Sequence, residues 1–213
     1  MPSITTERNL ARPREFDEVD VLGAATQCFW LHGYEATSVR ALAEQMGITG
    51  ASLYNTFGDK QSLYRRALEH YLNQTVRERI ARLEESLSPR EAISAFLDEV
   101  IERSLRDKQR RGCLLVNSAL EVAPHDPEVR RLVTQELQQI QGFFHRCLLK
   151  GQKAGTITTA QSAEDMSKLF LGVLLGIRVL ARTAPQRDLL EGVARPALSL
   201  LGNTESTRER ARQ

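Results

Sequence analysis

Residues 39–58 read VRALAEQMGITGASLYNTFG, and this stretch decides the fold. Two short helices that cross steeply through a tight turn ask four things of a sequence. A small residue must sit where the helices touch, and Ala43 supplies it. A residue at ease with positive φ must make the turn, and Gly47 follows. Apolar side chains must flank the turn on its inner face, as Leu42, Met46, Ile48 and Leu53 do. The second helix must keep a slim, polar outer face if it is to enter a major groove about 12 Å wide. Thr49, Gly50, Ala51, Ser52 and Asn55 provide that face. A helical corner packed for its own sake can share this spacing, so the flanking residues matter. Lys60 falls in the first turn of the next helix, against the positive end of its dipole. An external anion, such as a nucleic-acid phosphate, accounts for a cation placed there.

Outward from this corner, apolar residues recur three and four apart, and the period-two alternation of a half-buried strand is nearly absent. Val21/Leu22, Ala25 and Phe29 mark a first helix that Gly33 closes. A second starts after Thr37, read as its N-cap, and a third after Thr49. Asp59 caps a longer helix that runs, with a break, to about Leu87. Ser88-Pro89-Arg90-Glu91 is a complete start signal, with Pro89 at the first helical position and Glu91 reaching back to the cap. A short helix follows Gly112 and must yield before Pro124. Asp126-Pro127 opens a long one ending near Gly155, and two more cover 163–183 and about 187–201. The expected fold class is all-α, with nine or ten helices and no internal repeat.

Composition fits that reading. Of 213 residues, 41% are hydrophobic and 26% charged, which excludes a largely disordered chain. The formal net charge of +2 is too balanced to announce a polyanion binder by itself. Three cysteines make a disulfide framework unexpected and favour a reducing compartment. The N-terminus lacks the apolar core of a signal peptide. The most apolar run, 169–181, is short and contains Arg178, so no membrane span is expected. These features predict a cytoplasmic chain.

The string Gly33-Tyr34-Glu35-Ala36-Thr37-Ser38, then Ala43, Gly47-Ile48, and Leu53-Tyr54-Asn55-Thr56-Phe57-Gly58-Asp59-Lys60 with Leu63, resembles the N-terminal domain of the tetracycline-repressor (TetR) family. The likeness covers about residues 15–65; the remainder resembles the family in helix count and lengths. It implies a dimeric repressor of double-stranded DNA whose third helix reads base edges, with phosphates held at the starts of the second and fourth helices. By position, Thr37, Ser38, Tyr54 and Lys60 become phosphate ligands. Arg40, Thr49, Gly50, Ala51 and Ser52 then face bases or sugars. Asn55 stands where the family often has histidine, which leaves its phosphate contact open. The expected organisation is an arm (1–14), a three-helix DNA-binding domain with the helix-turn-helix (15–62), a helical effector-binding and dimerisation domain (63–202) and a tail (203–213). The competing class is an all-helical enzyme or small-molecule carrier whose corner is only structural.

Between Thr37 and Arg66 the basic residues Arg40, Lys60, Arg65 and Arg66 face only Glu44 and Asp59. So mild an excess predicts a moderate salt dependence, with hydroxyls and backbone donors sharing the anchoring. Arg8, Arg12 and Arg14 fit either a minor-groove arm or a solvated tail.

The 163–183 segment is apolar nearly all round, as a helix buried on two sides must be. Met166, Leu169/Phe170, Val173/Leu174, Ile177 and Leu180 form one stripe; Leu171/Gly172, Leu175/Gly176 and Val179 form another. One stripe is read as domain core and the other as a dimer seam shared with the long preceding helix. Burial inside a single chain is the alternative. A dimer requires a (pseudo)palindromic operator with half-sites about 34 Å apart.

An effector pocket is expected among Phe96, Val100, Leu114, Asn117, Ser118, Phe143 and Phe144, with Arg103 and Glu121 as polar anchors. Cys113 follows Lys108-Gln109-Arg110-Arg111-Gly112 and opens a helix, and both features favour a thiolate. The 111–115 string is also similar to that of TetR-family members that sense electrophiles or oxidants. A buried small hydrophobe is the plainer account of Cys113, and it is the one adopted for Cys28 and Cys147. The scattered histidines and cysteines offer no metal set, and no phosphate-binding Gly loop or nucleophile elbow is present, so no cofactor is expected.

Overall fold

A computed structural model of the chain describes residues 17–202. The expected arm and tail, with Arg8, Arg12 and Arg14, lie outside the described residues. Among the described residues every regular element is helical, and there is no strand. The helices are α1 (Glu18–His32), α2 (Val39–Gln45), α3 (Gly50–Phe57), α4 (Lys60–Leu72), α5 (Glu78–Ser86), α6 (Pro89–Arg106), α7 (Leu114–Glu121), α8 (Pro127–Lys153), α9 (Ala163–Thr183) and α10 (Arg187–Ser199). A π-helical turn, Asn73–Arg77, joins α4 to α5 without interrupting the rod. The break expected before Leu87 is thus only a local change of hydrogen-bond register.

Local chemistry sets the ends. Asp17 caps α1 by accepting the Val19 N–H, Asp59 caps α4 through Ser62, and Ser162 caps α9 through Asp165. Glu91 Oε2 accepts from both the N–H and the hydroxyl of Ser88, closing the box that starts α6. Each such cap contributes about 1 kcal/mol. One cap differs from expectation: Ser38, not Thr37, caps α2, its Oγ accepting the Ala41 N–H at 3.1 Å.

The N-terminal helices pack around α1. Leu42, Leu53, Leu63 and Ala25 are completely buried, and each leucine removed from water contributes roughly 1.5–3 kcal/mol. Phe29 meets Tyr64 edge to face at 4.9 Å, and Trp30 meets Tyr71 at 5.0 Å. Thr26 donates to the Ala67 carbonyl at 3.0 Å. Thus α4 carries the packing of α1 well past residue 62, and the chain has no linker where the two-domain division was expected. Farther on, α6, α8 and α9 enclose a second core around Phe96, Phe143, Phe144 and Phe170, whose rings lie 5.1–5.5 Å apart in sequence of contact.

Candidate nucleic-acid interface and the chamber behind it

The corner has the expected build. Gly47 takes φ 65°, and the Ile48 N–H reaches the Ala43 carbonyl at 3.0 Å across the turn. Leu42, Ala43, Met46, Leu53 and Phe57 are buried beneath it. Thr49 Oγ1 accepts the Ser52 N–H at 3.1 Å and so starts α3 at the place where its free N–H groups emerge. Thr49, Ala51, Tyr54 and Asn55 are exposed; Gly50 and Ser52 are half-buried, and a β-carbon added at Gly50 would meet open space. Ser38 and Arg40 are exposed at the start of α2. The slim face of α3 is therefore reachable by a partner.

One of the DNA-facing assignments changes, and the argument for a second is altered. Thr37 is 2% exposed, and its hydroxyl donates to the Gly33 carbonyl at 2.6 Å. It braces the loop ahead of α2 and has no hydroxyl to offer a phosphate. Lys60 is not an unaccompanied cation: its Nζ lies 4.3 Å from the centre of the Tyr34 ring. That aromatic face stabilises the ammonium, so the argument from the helix dipole alone is weakened. Its place at the start of α4 is retained.

Behind the corner, α7 ties the two parts together. Glu121 Oε1 accepts the backbone N–H groups of Tyr34 at 2.8 Å and Glu35 at 3.1 Å. Ser118, fully buried, shares a hydrogen bond of 2.7 Å with Tyr64 Oη, and burial pushes that phenol up to about 12 despite the hydrogen bond. Gln61 donates to Asp126, the cap of α8, at 2.7 Å, and Arg65 pairs with Glu128. These contacts correct the effector list. Glu121 and Ser118 are used in bracing the N-terminal helices, and Asn117 bonds the Arg111 carbonyl and Arg182. Leu114 and Phe143 are interior packing.

Phe96, Val100 and Cys113 do share a cavity, but its volume is only about 20 Å³. Cys113 caps α7 and is buried, with the Tyr71 hydroxyl donating to its Sγ at 3.7 Å. The cations expected from 108–111 are not what surrounds it: Arg111 turns to Asp107 and Gln27, while Arg79 and Arg178 line the small cavity from other helices. Arg103 lines a different chamber of about 200 Å³, closed by Trp30, the 106–112 segment and α9. Of the residues expected at an effector pocket, Arg103 alone reaches it.

On α9 the open stripe differs from either stripe drawn from sequence. Met166, Phe170, Leu174, Ile177 and Ala181 face the core; Leu169, Gly172 and Val179 are exposed, with Val173, Gly176 and Leu180 half-buried beside them. Added β-carbons at Gly172 and Gly176 would meet no neighbour within 4 Å. Among the described residues no helix is long and apolar enough to cross a membrane.

A helix-turn-helix with an accessible second helix, joined to a larger helical body, defines a DNA-binding regulator by its architecture. The family described as bacterial regulatory proteins, tetR family, matches residues 21–67, and the tetracyclin repressor-like C-terminal domain matches residues 89–196. An uncharacterised HTH-type transcriptional regulator of Bacillus subtilis (strain 168), YezE, is 32% identical over 194 residues, covering 90% of this chain and all of that one. The HTH-type transcriptional repressor ComR of Escherichia coli (strain K12) is 24% identical, covering 91% and 93%. A cysteine mutant of the TetR family regulator CifR, solved with a 26-bp double-strand operator DNA, is 35% identical with a TM-score of 0.79, covering 90% of this chain and 100% of that one. The chain belongs to the tetR family. It is a DNA-binding transcriptional regulator, and the enzyme or carrier reading is set aside.

Proposed function

We propose that the chain is a homodimeric repressor that places its two α3 helices in successive major grooves of a palindromic operator and is released by a small-molecule or electrophilic effector. The observation that carries the reading is the accessible face of α3, from Thr49 to Asn55, on a helix held rigidly by Leu53 and Phe57. Thr49, Gly50, Ala51 and Ser52 face base edges or sugars, with Arg40 beside them. Ser38, Tyr54, Asn55 and Lys60 hold backbone phosphates. The uncovered apolar stripe of α9 supports the dimer, since its two glycines admit a second helix closely. The duplex bound by CifR, at 26 base pairs, has room for two half-sites about 34 Å apart.

Selection from a random-duplex library, followed by sedimentation of the complex, tests this. The expected result is an inverted repeat bound by two chains. A strictly monomeric protein, or binding indifferent to sequence, overturns it. For the effector, Cys113→Ser is expected to abolish release by thiol-reactive compounds; release equal to the parent's removes the electrophile option and leaves a non-covalent ligand.

A further inference from the structure

The 200 Å³ chamber is lined by five arginines, at 103, 106, 110, 111 and 178, and one carboxylate, Asp107. Asp107 is already engaged, accepting the Arg111 N–H at 2.8 Å and its Nε at 3.2 Å. Among the described residues Arg103, Arg106, Arg110 and Arg178 have no acidic partner within 4 Å. Arg178 is 8% exposed, and the one polar side-chain contact it makes is with Ser104 Oγ, at a long 3.4 Å. A guanidinium taken that far out of water without a counter-charge is costly. Trp30, on the same wall, is also buried, and Arg103 and Arg111 lie 5.7 and 4.2 Å over its ring. Arg110 holds φ 51°, a conformation few side chains adopt, in the segment that forms the rim. Concentrated positive charge, a buried guanidinium without a counter-charge and a rim residue at positive φ converge on one cavity.

We propose that this chamber is the effector site, and that it takes a compact organic anion whose carboxylate or phosphate oxygens replace the missing counter-charge of Arg178 and Arg103. Its volume lies below the roughly 300–1,000 Å³ of pockets for drug-sized ligands, which suits a small acid. The site lies on the junction of the two parts. Arg111 lies 4.2 Å over the Trp30 ring and donates to Gln27 on α1 at 2.6 Å, tying the 106–112 segment to the DNA-binding helices. An anion that draws Arg111 inward loosens this tie. The regulatory consequence rests on the function proposed above; the binding does not.

Trp30 is the only tryptophan, so its emission reports on the chamber directly. Sodium benzoate, sodium succinate and inorganic phosphate are titrated into the DNA-free protein at constant ionic strength. At least one is expected to give a saturable change, and Arg178→Gln to raise its half-saturation on the order of tenfold or more. The exposed rim variant Arg106→Gln, which leaves the core untouched, is expected to raise it about threefold and covers the case in which Arg178→Gln does not fold. No saturable change with any probe, or unaltered half-saturation in the folded variants, overturns the site. The anion that binds is then added to the selected operator complex, where weaker DNA binding is expected. Binding without that weakening overturns the regulatory half and leaves the repressor reading standing.

Discussion

The Glu121 carboxylate, at the last residue of α7, accepts the Tyr34 N–H at 2.8 Å, joining positions 87 residues apart in the chain. Gly33 permits the approach: a β-carbon there would lie 3.0 Å from Glu121 Oε1, and the backbone holds φ 82°. Glu121→Ala should therefore lower stability by about 1.5–3 kcal/mol, the range for hydrogen bonds to a charged group. Gly33→Ala should cost a similar amount from strain, and the two losses should fall short of additive in a double-mutant cycle followed by urea unfolding. Full additivity would mean that loop and carboxylate are energetically independent.

Gly50→Asp separates folding from reading. The added side chain meets open space, so the melting temperature should stay within a few degrees. A carboxylate on the face brought against the polyanionic duplex should weaken operator binding at least tenfold in a fluorescence-anisotropy titration. Undiminished affinity would place the DNA elsewhere.

Lys60→Ala should weaken every duplex alike and reduce the slope of log K against log salt by about one. Because Nζ rests on Tyr34, the substitution also removes a cation–π contact of about 0.5–1 kcal/mol. A changed sequence preference in competition binding would assign Lys60 to base reading instead.

Glu136 supplies a pH test. It is fully buried, with Oε2 on Arg77 at 2.9 Å and Oε1 without a partner. Burial raises its carboxyl above the ordinary glutamate value, and Arg77 only partly offsets this. The folded state then binds the proton more tightly than the unfolded state. Stability from this group is greatest below the ordinary value, about 4.3, and declines as pH rises through the native one. Glu136→Gln should remove that decline from urea midpoints measured between pH 4 and 8; an unchanged profile would show that the residue does not titrate in the window.

What the sequence revealed was what is local. The corner at Ala43 and Gly47, the cap at Thr49 and the box at Ser88–Glu91 each rest on contacts within a few residues. Thr37 and Ser38 show the grain of such reading: both are plausible caps, and only the Gly33 carbonyl decides which one is free. The chamber was illegible for the opposite reason. Trp30, Arg103 and Arg178 come from three distant helices; Arg103 was expected at an effector pocket, but nothing local joined it to the other two. Glu121 was misread because its partners are backbone N–H groups, which carry no residue signature. The stripes of α9 were blurred because a helix apolar on most sides leaves its facing undetermined until the neighbours are placed.

The shortness of α7 has a last consequence. Eight residues make a strut about 12 Å long, with Cys113 capping one end and Glu121 hooked to the loop before α2 at the other. So stubby a piece has little room to flex, and it fixes the distance between the Tyr71 hydroxyl at one end and the loop before the helix-turn-helix at the other. Substitutions at its buried end are therefore expected to shift the loop ahead of α2 while leaving the exposed residues of α3 unchanged.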